Sequence, residues 1–478
     1  MNAPARPGSA ASDSSLTIPP RIHLEPDPRD WPALVRDQFG RLDDRARQFR
    51  RELGLPDDRP IVMSGHQLTF WHAGILAKYF AAVACATRTG SPAPGAPPAT
   101  TAWLWVDEDE HDYSTIRVPS RTPEDKLVEV NWAITEMPAD GLPVAACSAF
   151  QPRNLDAVHP NLPPSIAIGV SRIFTSLRAH QSAASAAHQI AASLSDLVAP
   201  FGTLEHQLFA TSISRTALFA ELVRRMIADP LGCARAYNAA AATVPEARIV
   251  PLRLDHPRGV ELPLWRLEPN RPRARVYSND LPPLLATPAS RGNGPPHLAP
   301  RALLITGLLR LAGCDLFIHG VGGYRYDTIT EQWFLTWLGH ELAPKAAATA
   351  DLFLPLSAPN TAEADVARAF WRAHSAEHNP AVLNDASAAV QKQSHLAAIA
   401  AERAAGRSPL VAYQQMHADL NAYRSRHAGE LRDLHERADS LQDALAESLL
   451  AGDRTWAFPF HDDRSLLTLR DAIAAAMK

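Results

Sequence analysis

Residues 102–106, Ala-Trp-Leu-Trp-Val, are apolar at every position, and the chain turns acidic immediately after them. A strand that is apolar on both faces has to be covered on both faces. That confines it to a sheet sandwiched between helices, the usual setting of parallel strands. In open sheets of this kind, ligands bind beyond the carboxyl ends of the strands. Asp107, Glu108, Asp109, Glu110 and Asp112 surround His111 at such an end. They form a candidate site for proton transfer, metal binding or amine recognition, with a solvated acidic turn as the alternative.

Two further junctions have the same form. Ile61, Val62 and Met63 precede Ser64, Gly65, His66 and Gln67, and a proline-free stretch rich in helix formers covers 74–86. Gly65 permits a turn no bulky residue would tolerate, and a helix start beyond it offers free backbone N–H groups to an anion. His66 adds a proton donor and Gln67 a neutral hydrogen-bonding head. The spacing is neither the dinucleotide glycine fingerprint nor a phosphate-loop lysine motif. Residues 314–319 read as a third buried strand, followed by Gly320, Val321, Gly322 and Gly323 and a helix to residue 338. Arg325 and Asp327 fall at or near the first turn of that helix. A tight structural connection accounts for any one glycine-rich turn. Three polar turns at three strand-to-helix junctions point to a shared site.

These segments resemble the BshC family, the cysteine-adding enzymes of bacillithiol synthesis, and especially its shorter bacterial relatives. The family's Gly-Gln-Gln turn, glycine-containing segment and helix with an internal lysine are matched by SGHQLTFWHAGILAK, with His66 in place of the first glutamine and Lys78 in the helix. Its acidic-histidine motif is matched by Asp109, Glu110, His111, Asp112 and Tyr113, with the first two acids exchanged. Its later glycine turn is matched in part by residues 320–323, without the glutamate expected there. The resemblance covers residues 60–450 in patches. It implies a ligase that attaches an amino acid, cysteine in the family, to an amine such as a glucosamine–malate conjugate. The departures bear on the substrate more than on the fold.

The resemblance and the residues together give the expected roles. His111, oriented by Asp109 or Asp112, is the expected base, because imidazole titrates near neutrality; His66 joins these three as catalytic. Gly65, Gln67, Lys78, Glu110, Gly320, Gly322, Gly323, Arg325 and Asp327 are expected to bind substrate or nucleotide. A nucleotide such as ATP is the simplest way to activate the acyl group. No metal site is expected, since no zinc-hydrolase histidine pair with its helical glutamate is evident. His72 could line the same pocket or simply pack, and Arg271, Arg273 and Arg275 share one face of a strand-like run. A phosphate or carboxylate would suit those arginines, but a solvated edge is the favoured account.

Around these sites the chain reads as α/β: a Rossmann-like parallel-sheet core with an inserted helical subdomain and a C-terminal helical hairpin or coiled-coil arm. At 478 residues it exceeds a single compact core. Residues 1–20, rich in Ala, Pro and Ser, read as a disordered leader. Residues 21–150 and 245–360 supply two halves of the core, with short strands at 126–134, 142–146, 260–265, 273–277 and 351–356. Residues 151–244 read as the helical insertion. Leu431, Leu434, Ala438, Leu441 and Leu445 recur at three- and four-residue steps in the arm, 361–450. A hairpin with residues 386–406, or a second subunit, would cover that stripe. Residues 451–478 form an apolar anchor. Proline-rich loops at 91–98 and 282–300 mark boundaries.

Net charge of −4 gives no reason to expect nucleic acid, and no apolar span reaches the length of a membrane crossing. The four cysteines are scattered, as in a cytoplasmic protein. Small molecules are the expected partners, with homodimerisation through the arm. The rival to the ligase is a catalytically silent scaffold that dimerises in the same way.

Overall fold

Strand β2 (Ile61–Gln67) lies inside a six-stranded, mostly parallel sheet in this computed structural model, which describes residues 19–90, 98–153, 161–282 and 298–478. The other strands of the sheet are β1 (Arg21–Glu25), β3 (Thr100–Val106), β6 (His206–Phe209), β10 (Leu316–His319) and β11 (Lys345–Asp351), in the order β1-β11-β10-β2-β3-β6. Only β1 runs antiparallel, along β11 at one edge. The chain steps from β2 to β3 to β6 on one side, then returns to β10 and β11 on the other. Its direction of winding therefore reverses between β2 and β10, where such sheets open a crevice beyond their carboxyl ends.

Buried polar groups fix that central pairing. The Asp315 carboxylate accepts from Ile61 N at 2.7 Å and pairs with the buried Arg50 at 2.9 Å. Ser64 Oγ donates to Ile318 O at 2.7 Å. A slip by one residue would leave these groups buried without partners, a far larger cost than any one bond's net gain. Residues 60–106 and 300–340 thus share one sheet, as the sequence led us to expect.

The all-apolar pattern of β3 is explained by what covers it. Ala102 and Leu104 join a core cluster with Met63, Phe317, Trp333 and Phe334. Trp103 and Trp105 meet Trp71 on the other face, with ring centroids 4.6 and 5.4 Å away. Helices α1 (Trp31–Phe39) and α2 (Asp44–Glu52) precede the central strand, and α3 (Ala73–Thr89) follows it.

The remaining strands depart from the expectation of one core sheet. β4 (Thr115–Arg121) and β5 (Leu127–Ala133) pair by themselves, and β7 (Glu261–Arg266), β8 (Ala274–Tyr277) and β9 (Leu298–Pro300) form a separate three-stranded antiparallel sheet. Residues 142–146 hold only a short 3₁₀ turn, Val144–Ala146, because Val144 and Ala145 donate to the carbonyls of Asp109 and Asp107 and not to a strand. The strand expected at 351–356 ends at Asp351 and begins earlier. Between 151 and 244 lie α4 (Pro164–Ala179), α5 (Ala186–Val198), α6 (Ala217–Ala228) and α7 (Pro230–Ala242), but β6 interrupts them and completes the large sheet. α8 (Ala302–Leu308) and α9 (Val321–Leu338) flank β10.

The chain divides into two units, one of Met1–Ser120, Glu129–Leu354 and Arg454–Lys478, the other of Arg121–Val128 and Pro355–Asp453. The second carries α10 (Glu363–His378), α11 (Ala386–Ala404), α12 (Leu410–Arg426) and α13 (Ala428–Ala451). There α13 packs on α10, and α11 on α12. Leu431 and Ala438 are buried within the chain itself, so the stripe is covered by α10 and not by residues 386–406. In the first unit, Trp456, Phe458 and Phe460 are buried and Phe458 N donates to Trp71 O at 2.6 Å; α14 (Asp463–Ala476) ends the chain. No described helix is long and apolar enough to cross a membrane. Most of the leader expected at 1–20, residues 1–18, and most of the proline-rich stretches, 91–97 and 283–297, lie outside the described residues.

Candidate active site

A cavity of about 680 Å³ opens beyond the carboxyl ends of β2, β3 and β10. Its size suits a metabolite. Gly65, His66, Gln67, Lys78, Asp109, Gly320, Gly322, Gly323 and Asp327 all line it, although the sequence spreads them over some 260 residues. Among the residues expected there, His111, Asp112, Glu110 and Arg325 do not line it.

The β2 end differs from its expected geometry. The strand continues through Gly65, His66 and Gln67, paired residue by residue with Leu104, Trp105 and Val106. There is no anion-binding turn at Gly65. Glycine is required for a different reason: a Cβ there would sit 2.5 Å from the Leu104 Cβ, so only a hydrogen lets the two strands close. The helix begins later, at Ala73, where His72 Nδ1 accepts from Gly74 N at 3.1 Å. Lys78 reaches back from this helix and donates to Gly65 O. Burial pushes its ammonium down to about 7, where a neutral amine is accessible. Burial, with Lys78 close by, also holds His66 well below its ordinary value.

At the β3 end most of the acids are already engaged. Asp107 accepts from Thr211 N at 2.9 Å and Thr211 Oγ1 at 2.6 Å, and burial pushes its carboxyl up to about 6. Asp109 pairs with Arg273 at 2.6 Å, and Arg273 also lies 3.4 Å from the exposed Glu110. Asp112 accepts from Ser114 N, Ser114 Oγ and Thr115 Oγ1 in a local turn, and no hydrogen bond joins it to His111. His111 bonds through Nε2 to Leu68 O at 3.0 Å, and burial lowers its pKa. The expected orienting pair of His111 with Asp109 or Asp112 is therefore not formed. Glu108 is the exception among the acids. It is 2 % exposed, lines the cavity, and its Oε2 has no partner among the described residues. Burial and the adjacent Asp107 push its carboxyl well above the ordinary range, which favours the protonated form.

The β10 end holds an arrangement that sequence reasoning missed. His319 Nε2 bonds to Asp327 Oδ2 at 3.0 Å. The same oxygen receives Arg310 Nη1 at 2.5 Å, and Thr306 Oγ1 donates to Oδ1 at 2.9 Å. Burial works to raise Asp327, but His319 and Arg310 hold it far below the ordinary carboxylate range. Burial lowers His319 despite that carboxylate, which favours the neutral ring. With Nε2–H given to Asp327, the lone pair of Nδ1 stands beside Gly323, where a Cβ would come within 3.0 Å of it. Asp327 thus positions His319; it is not an independent ligand group. Helix α9 starts directly after its N-cap Gly320, which makes no side-chain cap, so its first amides lie beside the cavity without a side-chain partner. Arg325 is exposed on the outer face of this helix. The signal available in the sequence was a histidine ending a buried strand, eight residues before an aspartate in the following helix.

Cationic groups line the remaining wall. Arg273 and Arg301 lie over the Trp265 ring at 4.5 and 4.7 Å. Arg301 and Arg275 share the fully buried Glu261, each at 2.8 Å, so two guanidiniums have one carboxylate between them. Arg248 and Arg454 also reach the cavity. The solvated edge favoured for Arg271, Arg273 and Arg275 holds only for Arg271, whose side chain is 73 % exposed.

No protein-family profile matches the chain, and no curated protein matches it.

Proposed function

We propose that this cavity is the active site of an enzyme that joins an amine to an activated carboxyl group, in a divergent, Rossmann-like relative of the BshC family. The observation that carries this reading is His319. Its Nε2 is held by the ionised Asp327, and the residue lines a metabolite-sized cavity beside the uncapped start of α9. Amide formation needs a base for the amine's proton, a cradle for negative charge on the acyl oxygen or leaving group, and a place for the incoming amine. Nδ1 of His319 takes the proton as the C–N bond forms. Helix amides and Arg301 receive the oxygen charge as the bond to the leaving group breaks. The carboxyl of Glu108 and the Asp109–Arg273 pair flank the amine. An amino acid such as cysteine and an amino-sugar conjugate such as glucosaminyl-malate are the proposed substrates, and a nucleotide is the proposed activator.

Incubating the protein with ATP, cysteine and glucosaminyl-malate, and reading the mixture by mass spectrometry, tests the assignment. A condensation product is expected with the parent and not with His319→Gln, while both proteins show the same ligand-induced rise in Tm. No product and no stabilisation by any of the three compounds would overturn it.

A further inference from the structure

We propose that the second unit carries a divalent transition-metal site on α10, formed by His374, Glu377 and His378. This contradicts the expectation of no metal-binding set: the sequence His-Ser-Ala-Glu-His at 374–378 has histidines four apart with a glutamate one residue before the second. Residues at i, i+3 and i+4 stand on one face of a helix. Here one ligand atom from each of the three lies within 4.8 Å of the others. The imidazole centroids are 4.9 Å apart. Two nitrogens and a carboxylate oxygen suit zinc and its neighbours, and three protein ligands leave a coordination position for water.

Two further features fit a cation here. His435 on α13 bonds through Nε2 to Glu377 Oε1 at 2.9 Å, leaving Oε2 directed towards His378 Nε2, 4.0 Å away. A second group that holds a ligating carboxylate in this way orients it and typically contributes 10- to 100-fold in metal affinity. The site also occupies the last turn of α10, where unsatisfied carbonyls favour positive charge. One contact opposes binding. Arg424 on α12 donates to His378 Nδ1 at 2.9 Å and to Glu377 O at 2.9 Å. An Nδ1 that accepts from arginine leaves the proton on Nε2, so ligation through Nε2 requires that bond to Arg424 to open.

Zinc titration of the full chain, in competition with a chromophoric chelator, tests the proposal. One equivalent is expected to bind in the parent. His374→Ala and His378→Ala are each expected to weaken binding by at least about 10-fold, and His435→Ala by about 10-fold through loss of the oriented carboxylate. Arg424→Ala, which frees His378, is expected to tighten it. All four positions are partly exposed, and circular dichroism and Tm without zinc verify that each variant is folded. Absence of a stoichiometric site, or zinc bound equally by the parent and the two histidine variants, would overturn the proposal. Weaker binding by Arg424→Ala would remove His378 from the ligand set and overturn it as stated. The readout is independent of any reaction in the cavity of the first unit.

Discussion

The exits of β3 and β10 teach opposite lessons about polar sequence. The β3 exit is the most heavily charged stretch of the core, with five acids in six residues. Yet Asp107, Asp109 and Asp112 are each taken up by Thr211, Arg273, or Ser114 and Thr115. The β10 exit offers one histidine, three glycines and a distant aspartate. Its histidine and its uncapped helix start nevertheless both line the cavity. Charge density marks where polar residues are needed. Chemistry depends on which polar atoms remain without an internal partner.

The sharpest way to break this contrast is to remove His319, the proposed base at the β10 exit. His319→Gln is expected to lower kcat by about 10²- to 10⁴-fold, the usual worth of a positioned acid–base group, with Tm nearly unchanged. Retained turnover would return the catalytic role to the β3 exit. Next in size is Asp327→Asn, which strips the buried Arg310 of one of its two carboxylates, Glu331 being the other. Urea unfolding should show a loss of about 1 to 3 kcal/mol, because a buried charge-assisted hydrogen bond is lost while Glu331 still pairs with Arg310. The same variant should lose turnover as well, since His319 would lose its orientation.

A smaller effect separates Glu108 from its neighbours. Its folded carboxyl keeps the proton that the unfolded chain releases above the ordinary glutamate range of 4.5, so it costs stability increasingly as pH rises past that value. Glu108→Gln cannot titrate. It is expected to match the parent near pH 4.5 and to be the more stable of the two at pH 8. Asp107, pushed up to about 6, adds a slope of the same sign in both proteins. The difference between the two urea curves therefore isolates Glu108, and parallel curves at both pH values would show its carboxyl to be ordinarily ionised. The smallest effect is reserved for His111→Gln. Because its ring serves Leu68 O outside the cavity, turnover should stay within about threefold of the parent, less than 1 kcal/mol in barrier. A loss as large as that of His319→Gln would erase the distinction between the two exits.

The sequence by itself determined that β3 is buried on both faces, that β2, β3 and β10 belong to one mostly parallel sheet, and that their carboxyl ends meet. Those features follow from local pattern, because an apolar run and a glycine junction carry their consequence in consecutive residues. Gly65 was legible as special, but its cause, contact with Leu104 across the sheet, was not. Only the tertiary structure decided which polar atoms are consumed. Arg273 neutralises Asp109 across more than 160 residues, and Thr211 holds Asp107 across 104. Asp327 reaches His319 only because the first turns of α9 fold back over the end of β10. A hydrogen-bond partner is a property of three-dimensional proximity, and one sequence read without its fold contains the donors and acceptors but not their pairing.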